Sequence, residues 1–234
     1  MKKTKQIAPE NGLITESLGK QDNPKASYLI LLISILFLFL VRPFMIGFLG
    51  IQALINGLFT VILIAGTYSF SRRKGVFICA LLLVVPWIGT RVYLYFEPRP
   101  TVEIIDMALL AAFFAFGSVI ILSHLLQARS VNTDMIFGSI CAYFLIGLMW
   151  GTIFALIQHS APGTFQITKS TDSDRFDLIY YSFVALTTLG FGDISPVSSP
   201  ARSLTIVEAV MGQIYLAVLV ARLVGLHIGD SLSR

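Results

Sequence analysis

Residues 187–193 read Thr-Thr-Leu-Gly-Phe-Gly-Asp and stand between two apolar stretches. Two glycines one residue apart, followed by an acid, do not suit a helix that crosses a membrane. Ahead of them, Phe176–Thr187 is apolar but short. As a helix it would cover about 18 Å of a hydrocarbon core about 30 Å thick. Behind them, Ala201–Leu226 is long enough to cross. The pattern predicts a re-entrant helix that goes halfway in, with the Thr-Thr-Leu-Gly-Phe-Gly-Asp stretch where the chain turns back.

A backbone that turns inside a membrane leaves carbonyls without helical partners, and these must face protein or water. Carbonyls lining a narrow wet path can replace the hydration shell of a cation. To aim successive carbonyls the same way, the backbone must alternate between right- and left-handed conformations. The left-handed one costs little only for glycine, and Gly190 and Gly192 meet that demand at alternate positions. Thr188 adds a hydroxyl oxygen at the inner mouth. Asp193 ends the stretch at the water, attracting cations and anchoring the turn. The short helix would point its partly negative C-terminal end at mid-membrane, where a dehydrated cation is stabilised.

The rest of the composition agrees with a membrane setting. Of 234 residues, 56% are hydrophobic and 13% charged, and the mean hydropathy is +0.81. A soluble domain carries about a quarter charged residues. The net charge of +4 comes from basic residues in short loops, which favours membrane orientation over a nucleic-acid partner. Cys79 and Cys141 lie in apolar segments and read as buried free thiols. The spans hold no metal-ligand cluster and no nucleophile with an evident base, so the expectation is no enzyme and no cofactor. No cleaved signal peptide is expected at the start.

Six spans are expected: Ser27–Ile46, Ile51–Phe70, Val76–Phe96, Ile104–Leu126, Met135–Gln158 and Ala201–Leu226. With the N-terminus inside, the inner segments hold 11 lysines and arginines and the outer ones 6. This predicts a multi-pass protein of the cell membrane with both termini cytoplasmic. The loop His159–Arg175 and the glycine stretch then face outward. Three units follow: a cytoplasmic tail at 1–26, a four-helix transmembrane domain at 27–130 and a final domain at 131–234.

Thr188-Leu189-Gly190-Phe191-Gly192-Asp193 resembles the TVGYGD signature of potassium-channel selectivity filters. The order around it, outer helix, pore helix, filter, inner helix, is similar too, over about Met135–Leu226. The resemblance implies an all-α transmembrane fold with tetrameric potassium-channel pore architecture. It implies a filter at Thr187, Thr188, Leu189, Gly190, Phe191, Gly192 and Asp193. K+ would bind the carbonyls of Thr188, Leu189, Gly190 and Phe191 and the Thr188 hydroxyl. One chain supplies one filter strand, so a homotetramer in the lipid bilayer is implied, with K+ as the permeant ion. Phe191 and Leu189 replace the family's usual Tyr and Val, removing a bracing hydroxyl and adding bulk. A weakly selective cation channel, or a pore-fold transporter or accessory subunit, is the alternative.

Further residues stand out around this core. Tyr180 and Tyr181 occupy the part of the pore helix where the family packs aromatics around the filter. Gly212 falls where the family often has a hinge glycine; hinge and close packing are both open readings. Glu208 is an acid deep in a span, read as support behind the filter in preference to a pore-facing charge. Gln213 faces either the cavity below the filter or a neighbouring helix. His159 is an outer-loop residue, solvated or pH-sensing. Asp172, Asp174 and Asp177 either concentrate cations at the outer mouth or form a solvated loop. Arg222 is expected to snorkel to the inner headgroups. The fourth span, Ile104–Leu126, has Asp106 near one end and no arginine. Weak or absent voltage dependence follows, since a span without mobile charge takes no energy from the field.

Overall fold

The computed structural model describes residues 27–41, 74–127, 133–168 and 174–232. The expected tail at 1–26, the span Ile51–Phe70 and Asp172 lie outside them. The chain is mostly helical: α1 Ser27–Val41, α2 Lys74–Phe96, α3 Pro100–Gln127, α4 Thr133–Ser160, α5 Asp174–Leu186 and α6 Ser199–Leu232. Among the described residues, four helices are long and apolar enough to cross a membrane: Lys74–Phe96, Pro100–Gln127, Met135–Ser160 and Ser199–Arg222. Helix α6 differs from expectation in length. It runs on beyond Leu226 to Leu232, about 51 Å at 1.5 Å per residue.

The mostly helical chain is consistent with the all-α expectation, and one short ribbon is added to it among the described residues. Phe165–Ile167 (β1) and Ile194–Pro196 (β2) form a two-stranded antiparallel ribbon, pairing Phe165 with Pro196 and Ile167 with Ile194. The chain leaving α4 thereby ties to the chain leaving the glycine stretch. Phe165 anchors the ribbon in the core: it is buried and packs on Phe154 of α4 and Tyr181 of α5, with ring centroids 5.3 Å away in each case. Its N–H donates to Gln158 Oε1 at 2.9 Å, which fixes the turn out of α4.

The core centres on α4 and α5. Gly147 and Gly151, one helical turn apart, open a groove in α4 for α5. A Cβ on Gly147 would lie 2.6 Å from the Phe183 ring, and one on Gly151 would lie 2.6 Å from the Ile179 Cα. On the other side, a Cβ on Gly212 would strike the Leu186 carbonyl oxygen. Small residues thus let three backbones approach closely, as in membrane helix packing generally. Helix α1 adds Phe39, edge-on to Phe183 at 5.1 Å. Its Tyr28 carbonyl accepts from the Cys141 thiol at 3.2 Å. Cys141 is buried as expected, whereas Cys79 is exposed, on the outward face of α2.

Gly151→Ala is expected to destabilise the protein by about 1–3 kcal/mol, because the new methyl meets backbone that has nowhere to go. Gly89→Ala, where a Cβ meets nothing within 4 Å, is the control. Thermal unfolding in detergent checks both, and equal midpoints would refute the tight α4–α5 contact.

Candidate functional site: the turn after the half-length helix

Helix α5 has 13 residues, about 20 Å of rise, too short to cross a membrane. Its C-terminal end is closed by a defined cap. The Thr188 N–H donates to the Ala185 carbonyl at 3.0 Å and the Leu189 N–H to the Val184 carbonyl at 2.9 Å. These are the two bonds of a Schellman motif, which demands a left-handed residue at the position Thr188 occupies. Thr188 has φ +59°, a conformation a β-branched residue rarely adopts. The Thr187 hydroxyl donates to the Phe183 carbonyl at 2.6 Å.

Beyond the cap, φ is positive again at Gly190 (+61°) and Gly192 (+78°). Left-handed residues therefore alternate at 188, 190 and 192. Two fall on glycine and one on threonine. Thr187 through Asp193 are all exposed in the single chain, with Leu189 at 60% and Phe191 at 65%. This segment offers backbone and side chains outward instead of burying them.

Asp193 is held from three directions. Tyr180 donates its hydroxyl to Asp193 Oδ2 at 2.9 Å. Oδ1 accepts from the Ile194 N–H at 3.1 Å. The Asp193 carbonyl accepts from the Thr168 N–H at 3.1 Å. The ribbon, the half-length helix and the end of the glycine stretch meet at this one residue. Tyr181 faces the other way: it is buried, and its hydroxyl lies 2.9 Å from that of Thr205 on α6.

Glu208 is wholly buried. Ser182 Oγ lies between Glu208 Oε1 and the Gly147 carbonyl, 2.7 Å from the latter. Glu208 Oε2 has no hydrogen-bond partner among the described residues. The acid therefore sits between α4, α5 and α6, behind the stretch and away from its exposed face. Gly212 is packed against the end of α5, a close-approach role. Gln213 is exposed on α6.

Several outlying residues stand elsewhere than expected. His159 belongs to the last turn of α4, with Nε2 3.5 Å from Glu103 Oε2. Asp177 is buried within α5, so it is no part of a solvated mouth. Arg222 donates to the last carbonyls of α3, to Leu125 O at 2.9 Å and Leu126 O at 2.6 Å; it caps a helix instead of only reaching for headgroups. Among the described residues no group of three or more His, Cys, Asp or Glu is placed to hold a metal.

Sequence reasoning missed Gly147, Gly151, Ser182 and the cap at Thr188. The first two had a signal: Gly-Leu-Met-Trp-Gly, 147–151, is a small-x-x-x-small pattern inside an apolar helix. Ser182 had none, since its partners are 35 and 26 residues away.

Residues 142–226 match a family model described as an ion channel. The match takes in most of α4, the ribbon, α5, the glycine stretch and most of α6, the segments just described. No curated protein matches the chain. The match supports an ion channel, and the four long apolar helices fit a membrane setting.

Ser182→Ala should cost about 1–3 kcal/mol, because it strips a buried carboxyl and a buried carbonyl of their shared partner. A lower unfolding midpoint checks it. Unchanged stability would mean that this contact does not support the fold.

Proposed function

We propose that the chain is one subunit of a homotetrameric, potassium-selective channel that conducts passively through a central pore. The observation that carries this reading is the alternation of left-handed residues at 188, 190 and 192, set at the C-terminal end of a half-length helix. Alternation turns successive carbonyls toward one side, the arrangement that can replace a cation's water. In this reading α5 is the pore helix, Thr187–Asp193 the filter, α4 the outer helix and α6 the inner helix. K+ binds the carbonyls of Thr188, Leu189, Gly190 and Phe191 and the Thr188 hydroxyl.

Four copies are required because one strand cannot surround an ion. The exposed Leu189 and Phe191 would then be covered by neighbouring subunits. The 11-to-6 distribution of basic residues supports cytoplasmic termini in a cell membrane. Residues 27–130 form the peripheral domain and 131–234 the pore domain. Helix α3, at the place of a voltage sensor, carries no arginine. Its Asp106 is tied to Arg91 and Arg175, so it is not free to move through the field.

The purified protein in a planar bilayer, with potassium on one side and sodium on the other, is expected to reverse near the potassium equilibrium potential. Reversal near zero with current flowing would favour a weakly selective cation channel, with Leu189 and Phe191 as the loosening substitutions. Absence of current would favour a transporter or accessory role. In the same recordings, open probability is expected to change little with voltage. Steep voltage dependence would overturn the reading of α3.

A further inference from the structure

Asp106 is wholly buried in α3, six residues from the start of the helix. Its Oδ2 accepts from Arg91 Nη2 of α2 at 2.6 Å and from Arg175 Nη2 of α5 at 2.8 Å. Its Oδ1 lies 3.3 Å from the Thr90 hydroxyl. Both arginine side chains are largely buried, at 17% and 15% exposure. Arg91 also lies over the Trp87 ring at 5.3 Å. Three helices thus meet at one carboxylate oxygen.

The charge balance makes this contact conditional. Two guanidinium groups repel each other, and the Asp106 carboxylate, bonded to both, holds them together. Removing it leaves two buried like charges face to face, a strongly unfavourable arrangement. Arg175 stands in the first turn of α5, and the Schellman cap at Thr188 stands at the other end, 13 residues on. A helix of that length is stiff, so a shift at Arg175 reaches the Thr187–Asp193 stretch with little loss.

We infer that Asp106 is a positioning residue for conduction. Acting through Arg175, it sets the attitude of α5 and so couples the filter to the α2–α3 pair at the outer side of the membrane. The peripheral helices then act on the ion path through its outer end, in addition to any action on the inner end of α6. This rests on the channel reading above.

The test uses the full chain with Asp106→Asn, Asp106→Glu, Arg175→Gln and Arg175→Lys. Arg99→Gln, which breaks the exposed pair with Glu97, is the control. Two readouts are taken: amide hydrogen exchange over residues 174–193, and mean open time with the potassium-to-sodium permeability ratio. Asp106→Asn and Arg175→Gln are expected to speed exchange over 174–193 above any change elsewhere. They should also change mean open time by about fivefold or more, the low end of typical coupling. Asp106→Glu should recover much of both, and Arg99→Gln should change neither.

Unchanged exchange over 174–193, or faster exchange spread evenly through the chain, would overturn the inference. So would local loosening with wild-type open times and permeability. Should Asp106→Asn fail to fold, Arg175→Lys, which keeps the charge and loses the fork, decides the same question. A silent wild type would sink the channel reading alone, and the exchange pattern would still decide whether Asp106 holds α5.

Discussion

Helix α5, with 13 residues, is too short to cross a membrane; in the channel reading proposed above it ends inside one, where its last carbonyls must face protein or the ion path. That constraint organises this structure. The end of α5 is closed by backbone bonds at Thr188 and Leu189, and its flanks are pressed between glycine-bearing faces of α4 and α6. Its buried hydroxyl, Ser182, is engaged from both of those helices. Glycine packing and a backbone cap serve spanning helices too; here all of them converge on one short helix.

The same constraint explains the ribbon. In the channel reading, the chain after the glycine stretch climbs back to the surface beside the segment leaving α4. Two unpaired extended segments there would expose backbone groups at the edge of the membrane. Pairing Phe165–Ile167 with Ile194–Pro196 satisfies them, and the Thr168 bond to Asp193 extends the pairing to the mouth of the stretch. Phe165, stacked among Phe154 and Tyr181, links this ribbon to the packing that holds α5.

What could be read from the sequence follows from how local each feature is. The half-length helix, the glycine pair and the order of the last elements were legible because length, hydropathy and glycine spacing are local properties. The ribbon was not, since three-residue strands leave no periodic trace. Thr188 was not recognised as left-handed because its conformation is dictated by the helix cap, not by residue type. The Gly147–Gly151 groove was written in the sequence and passed unread. Asp106 looked like a stray acid at the end of a span. Its partners sit 15 and 69 residues away, and only the fold brings them together.

One feature of α6 has mechanical weight. Gly212 rests against the end of α5, while the helix continues without a break to Leu232, about 30 Å farther on. Beyond Gly212 the helix is tied again, by Tyr215 to the Ser139 carbonyl of α4 and by Arg222 to the last carbonyls of α3, so any swing of its far end about Gly212 would have to carry those contacts with it. A tilt of about 10° about that point would swing the far tip by about 5 Å, at the stated rise per residue. A movement small enough to spare the packing near the glycine stretch would thus become a displacement the width of a helix backbone at the end of α6, and the end of α3 would have to follow it.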